Sequence, residues 1–331
     1  MFRNHHHPFR PRIGLALGGG GARGFAHLGV LQAFEEHHIP IDFICGTSMG
    51  AIIGALYARE PDARAVRREV LNLLESDILK SSGIQLTQKL ERISRNKILG
   101  PPVEQLVRFY RLFQYATRDH LMQDETIREA LSMLFDEDLR IEDLALPFAS
   151  VAVDLITGER VIFDRGPLRR SVLASASIPG IFSPVQWHEQ RLVDGAVLSL
   201  VPISAAYALG ADLVIAVDVS PVFDRSPKLN AASDILLRCD DLLSRAFNAL
   251  RLSEADVVLT PIKTDSSWSD FGRVDEFVRA GYAGTISEMK NLKRAVGFPG
   301  NWLRLLRRKI RARSSWADGP VPTRLESSSA E

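Results

Sequence analysis

The sequence predicts an α/β fold with a mainly parallel central sheet and helices on its faces, and three observations predict it. The stretch PRIGLALGGG is a short apolar run that stops in glycines, which reads as a strand feeding a loop. ARGFAHLGVLQAFEEHH follows, with Phe25, Leu28, Leu31 and Phe34 at helical spacing. IDFIC is then a second strand, followed by a tight turn of small residues and a helix running to about Arg59. Strand, loop, helix, strand, turn and helix within about sixty residues imply parallel pairing, because two such strands need a crossover between them.

The remaining elements follow in order. Residues 61–145 change character, with many charges, leucines at helical period and breaks at Ser81–Gly83 and Gly100-Pro101-Pro102. They read as a helical insertion and a candidate lid. PFASVAVDLITGERVIFDRG alternates like two strands around a Thr157-Gly158 turn, and SPVQWH with RLVDG makes a second short pair. VPISAAYALG then ADLVIAVDVS reads as helix then buried strand; ADVVLTPIK is one more strand and VDEFVRAGYAGTISEMKNLK one more helix. By these signals residues 1–11 are a disordered tail and 12–220 the main domain, which contains the 61–145 insertion. Residues 221–298 are a C-terminal α/β extension packed on the same domain, and 299–331 a basic amphipathic helix with a disordered tail. In NWLRLLRRKIRAR, Trp302, Leu303, Leu305, Leu306 and Ile310 share one helical arc and Arg304, Arg307, Arg308 and Arg311 the other. That pattern makes 301–313 a candidate membrane contact, and it equally fits a terminal helix docked on the domain.

Composition narrows the classes. The chain has 331 residues, 46% hydrophobic and 24% charged, which suits one large globular domain or two modest ones. A net charge of +1 supplies no global field for nucleic acid. Two cysteines, Cys45 and Cys239, make neither a disulfide framework nor a metal cluster, and Cys45 lies where a small hydrophobe would pack. His5, His6 and His7 sit in a tail with no fourth ligand nearby, so no metal is expected. The opening MFRNHHHPFRPR has no apolar run after its charges, and no uncharged stretch reaches the ~20 residues of a membrane span. The expectation is therefore a cytoplasmic protein, peripheral at most to the inner face of the membrane.

The chemistry gathers at Ser48. Gly46-Thr47-Ser48-Met49-Gly50 is a G-x-S-x-G match between a strand and a helix, the context that motif needs. A sharp turn there exposes the hydroxyl, and the helix start at Met49 aims free N–H groups and a positive dipole end at it. The competing reading is a serine that merely caps a helix. The run Gly18 to Gly21 with Ala22-Arg23-Gly24 also fits a dinucleotide fingerprint, but that needs an acid at the far end of the second strand. Asp42 stands at the near end, so the glycine loop reads better as an oxyanion hole. Arg23 either holds this loop or meets an anionic head group.

For the proton acceptor, a histidine-last triad leaves only His120 and His188, neither in a clear strand-end loop. His27 reads as a packed helix residue. Asp194 in RLVDGA, followed by Gly195 and Ala196, is the better candidate. Its ordinary pKa of about 3.9 makes it a weak base, which burial against Val193 and Val197 would correct.

LGGGGARGFAHLGVL at 17–31, GTSMGAIIGALYA at 46–58 and VDGA at 193–196 together resemble the patatin-like phospholipase family, bacterial members in particular. ASASIPGIFSPV at 174–185 is similar to the family's segment before its aspartate. The resemblance implies a three-layer patatin-like sandwich and a lipid acyl hydrolase with a Ser–Asp dyad and no cofactor. Carried over by position, Ser48 is the nucleophile and Asp194 the base. Gly19, Gly20 and Gly21 give oxyanion N–H groups and Met49 a further one, Gly46 and Gly50 shape the elbow, and Arg23 and Gly24 support the glycine loop. The implied substrates are phospholipids or lysophospholipids. Rival expectations are an esterase or acyltransferase on soluble acyl esters, or a regulatory protein that keeps the fold. One departure stands out: Ser199 lies near where the family carries an asparagine, which bears on how the Asp194 loop is held.

Overall fold

Strand β1 (Ile13–Leu17) is buried along its whole length, and the other elements are arranged around it. The computed structural model describes residues 10–76, 124–225, 229–230, 232–264, 266–297 and 323–324. The other strands are β2 (Phe43–Gly46), β3 (Phe148–Asp154), β4 (Arg160–Phe163), β5 (Val185–Trp187), β6 (Gln190–Asp194), β7 (Leu213–Val217), β8 (Val257–Leu259) and β9 (Thr323–Arg324). The first helices are α1 (Ala26–Glu36), α2 (Met49–Arg59), α3 (Ala63–Glu75), α4 (Asp124–Leu134) and α5 (Leu168–Ala176). They are followed by α6 (Ala196–Ser199), α7 (Ile203–Ala208), α8 (Ala232–Leu252), α9 (Val274–Ser287) and α10 (Met289–Val296).

The sheet runs β5-β6-β3-β2-β1-β7-β8, with β4 on β3 and β9 on β4. β1, β2, β3, β7 and β8 are mutually parallel, whereas β4 and β6 run antiparallel to β3, β5 runs antiparallel to β6, and β9 pairs parallel with β4. This is the α/β arrangement with a mainly parallel sheet that the sequence predicts. Strand period sorts β1: Ile13, Leu15 and Leu17 join a large core with α1, α2, α3, α5 and α9, while Ala16 faces the other way. On that second face Ala16, Cys45 and Ala149 are small, and α7 lies on them through Ile203 and Ala206. Cys45 packs there as a hydrophobe, and burial pushes its thiol far above the ordinary range.

Three features depart from the sequence reading. The single helix expected over 274–293 breaks at Glu288 into α9 and α10. The sequence reading did not mark α8. Thr323 and Arg324, assigned to a disordered tail, pair as a strand with β4. The middle of the 61–145 insertion and the basic stretch 301–313 lie outside the described residues.

Helices α1 and α9 meet backbone to backbone. A Cβ on Gly281 would stand 1.9 Å from the Ala26 carbonyl oxygen, and one on Gly29 would stand 2.0 Å from that of Val278. Gly281→Ala is therefore expected to lower unfolding free energy by about 3 kcal/mol or more, because helix backbones must separate. Gly272, with open space around it, gives the control: Gly272→Ala should shift stability by less than about 0.5 kcal/mol. Equal urea midpoints for the two variants would refute this packing.

Candidate active site

β1 and β2 run parallel with Leu17 opposite Gly46, so the loops leaving their C-terminal ends rise side by side from one edge of the sheet. The loop after β2 is the sharp turn. Ser48 has φ 55° and ψ −124°, a conformation that side-chain-bearing residues rarely adopt and that costs roughly 1–3 kcal/mol.

The surroundings hold it there. Thr47 N–H donates to Leu17 O at 3.1 Å, and Ser48 N–H donates to both the carbonyl and the hydroxyl oxygen of Ser175, each at 3.1 Å. The Ser175 hydroxyl in turn donates to Val151 O at 2.7 Å. A Cβ on Gly50 would come 2.2 Å from Leu17 O, so any side chain there would drive α2 off β1. Gly46 backs onto Ala51 in the same way. Although Ser48 occupies the cap position of α2, its side chain makes no capping bond. It stands instead beside the carboxylate of Asp194, whose ionised form it stabilises. The helix-cap reading of Ser48 is thereby displaced.

Asp194 reaches Ser48 through an arrangement of strands. On one edge of β3, Ser150 pairs with Gly46 of β2, and Ala152, two residues on, pairs with Asp194 of antiparallel β6. The ends of β2 and β6 therefore meet almost head to head, about 7 Å apart along β3. Asp194 is held by its own N–H, which donates to Ser177 O at 2.9 Å, and by Ala196 N–H, which donates to its carboxylate at 2.8 Å. With only 2% of the residue exposed, burial raises the carboxyl pKa to about 6. The bonds from Ser48 and Ala196 stabilise the ionised form and limit that rise.

The glycine loop presents a narrower set of donors than the sequence reading assigned. Gly19 N–H donates to Leu200 O at 2.9 Å, so it is engaged within the fold and is withdrawn from the oxyanion set. Gly20, Gly21 and Met49 N–H groups make no hydrogen bond among the described residues. Gly21 adopts φ 57°, and a Cβ on it would meet Trp268 O at 2.4 Å, so glycine alone fits. Gly24 packs against Met49, joining the glycine loop to the start of α2. Arg23 is buried and donates to Val219 O at 3.0 Å and Ser266 O at 3.1 Å. Between the two roles open to it, the geometry favours holding the loop.

No histidine stands in the site among the described residues. His27 is fully buried and its Nε2–H donates to Gly18 O at 2.8 Å, while burial lowers its pKa to about 4 and keeps the ring neutral. His188 lies in the β5–β6 turn, at the opposite end of β6 from Asp194. Asp42 sits at the far end of the sheet, accepting from Ile13 N–H at 2.7 Å and from Arg10, well away from the glycines. No three His, Cys, Asp or Glu side chains gather as a metal site among the described residues.

Two supporting residues escaped the sequence reading: Ser175, which anchors the elbow, and Thr47, whose hydroxyl donates to Ser199 O at 3.0 Å. Ser175 lies inside the ASASIPG stretch already tied to the family, which was its only sequence signal. At Ser199 the departure from asparagine leaves α6 held by backbone groups, its N–H donating to Gly195 O at 2.8 Å.

The chain matches the model of the Patatin-like phospholipase family over residues 15–207. It is 33% identical to an NTE family protein of Mycobacterium bovis over 233 residues, covering 67% of this chain and 54% of that protein. It is 31% identical to lysophospholipase NTE1 of Mycosarcoma maydis over 216 residues, covering 65% of this chain and 10% of that one. Among solved structures it aligns with human GIVD cytosolic phospholipase A2 at 12% identity and a TM-score of 0.49, covering 89% of this chain and 61% of that one. The chain thus spans about half the length of the mycobacterial relative and a tenth of the fungal one.

Proposed function

We propose, for a chain that belongs to the patatin-like phospholipase family, the activity of a serine lipid acyl hydrolase that cleaves fatty acyl esters of phospholipids or lysophospholipids. The observation that carries the proposal is the Ser48 hydroxyl, held in a strained turn beside a buried carboxylate whose pKa lies near 6. A base of that strength is ionised at pH 7 yet accepts a proton more readily than an exposed aspartate.

In the proposed reaction Ser48 Oγ attacks the ester carbonyl carbon while its proton passes to Asp194. The new oxyanion meets Gly20, Gly21 and Met49 N–H groups at the start of α2, where the helix dipole adds positive potential. Collapse expels the alcohol, which takes the proton from Asp194, and leaves the acyl group on Ser48. Water then attacks the acyl-enzyme, giving its proton to Asp194; collapse breaks the bond between the acyl carbon and Ser48 Oγ, that proton returns to Ser48 Oγ, and fatty acid leaves.

No helix among the described residues is long and apolar enough to cross a membrane. In this reading the substrate is met at a lipid surface or as a micelle, with the protein working from the aqueous side of the inner face of the membrane. The test is fatty-acid release from lysophosphatidylcholine and from a p-nitrophenyl butyrate standard, across the micelle threshold. The rate on the lysolipid should step up above the threshold and exceed that on the soluble ester. A rate highest on short esters with no step would move the reading to a soluble-ester esterase. Release from neither, with no fluorophosphonate labelling, would overturn it.

A further inference from the structure

Helix α8 is amphipathic the wrong way round for a helix that belongs only to its own domain. Its polar side faces the protein: Asn248 is buried against Asp218 and Ser220, and Arg245 and Arg238 donate to the carbonyls of Pro221 and Asp224. Its apolar side faces out. Leu236 and Leu243 are each 71% exposed and Leu250 65%, and Ile235, Leu242 and Phe247 are exposed beside them. At 3.6 residues per turn these side chains cover a continuous arc of about 140° along a helix about 31 Å long. A face of this kind normally turns to the core, and a patch this large marks an interaction surface.

We propose that this face is covered by the same helix of a second copy of the chain. Three observations select that occupant. Leu236, Leu243 and Leu250 recur at intervals of seven, as do Ile235 and Leu242, and a strict seven-residue repeat is the seam of paired helices rather than of a helix lying on lipid. The charges favour a like partner: Asp234, Asp240 and Asp241 balance Arg238, Arg245 and Arg251, so two copies approach without mutual repulsion. Each of those arginines is already paired, Arg238 and Arg245 with Asp241 and Arg251 with Glu254. An anionic lipid surface would instead call for a basic face, and the exposed Asp240 lies next to the apolar arc. The area also suffices. Six large side chains from each copy, each hiding on the order of 100 Å², give about 1,200 Å², above the ~1,000 Å² that a specific interface needs.

The test is the mass of the full chain in solution, by light scattering over a dilution series, with and without the pair of substitutions Leu236→Asp and Leu243→Asp. Both positions are exposed, so the fold should survive, which an unchanged far-UV circular dichroism spectrum would verify. A second pair, Leu236→Gln and Leu250→Gln, repeats the comparison without added charge. The expected result is wild-type protein at twice 36.7 kDa and both variants at 36.7 kDa. Wild-type protein at 36.7 kDa at every concentration would overturn the proposal. So would variants that stay dimeric. A monomeric wild type that co-sediments with phosphatidylglycerol vesicles, and variants that do not, would overturn it too and assign α8 to a lipid surface.

Discussion

Ser48→Ala is expected to abolish fluorophosphonate labelling and to cut fatty-acid release by at least about 10⁴-fold, the scale seen when a covalent nucleophile is removed. The fold should remain, because the bonds that shape the elbow come from backbone groups and from Ser175, not from the Ser48 side chain. The variant also loses the hydroxyl that stabilises the ionised Asp194, so that carboxyl should titrate above its native value of about 6. Ser48→Gly separates chemistry from strain. Glycine accepts φ 55° freely, so this variant should be equally inactive yet more stable than Ser48→Ala by about 1 kcal/mol. Labelling is read by gel fluorescence, activity by fatty-acid titration and stability by urea unfolding. Undiminished labelling in Ser48→Ala would point to another serine and remove the basis of the proposed chemistry.

How far the site could be read in advance depended on sequence distance. β1 with its glycine loop and β2 with its elbow are local units: an apolar run, a turn of small residues and a helix fix each one with little help from the rest of the chain. Their parallel pairing then sets both loops on one edge. The approach of Asp194 is of another kind. It depends on β6 running antiparallel and taking over the edge of β3 where β2 leaves off. No periodicity in RLVDGA announces this: setting the histidines aside singles out Asp194 after its short strand, and the family resemblance adds its role as base. The oxyanion donors show the same limit at finer scale. A run of glycines signals exposed amides, but which ones are free depends on neighbours, and Leu200 O takes that of Gly19. For α8 the residue types suit a helix, but charged residues interrupt the apolar pattern along the chain. The heptad emerges only when its apolar arc is seen facing away from the protein.

Asp194→Asn carries the second large effect, and it should move activity and stability in opposite directions. Removing the base is expected to lower kcat by roughly 10³- to 10⁴-fold, since Asn can accept a hydrogen bond from Ser48 but cannot carry its proton away. The wild-type rate should rise with pH through about 6, where Asp194 becomes ionised, and fall below it; the residual rate of the variant should lack that limb. Stability follows from the same pKa. In the folded protein this carboxyl binds its proton more tightly than in the unfolded chain, about 6 against 3.8. Between those values the native state holds more protons than the unfolded state, so this group's contribution to stability declines as pH rises from about 4 to about 6. Above pH 6 the buried charge costs about 3 kcal/mol, and below pH 4 it costs nothing. Asp194→Asn removes that charge, so it should stabilise the protein by up to about 3 kcal/mol at pH 8 and by little at pH 4. Urea unfolding of both proteins at the two pH values measures the difference. Equal stability at pH 8 would mean that Asp194 is not a strained buried carboxylate, and the base assigned to the reaction would lose its physical ground.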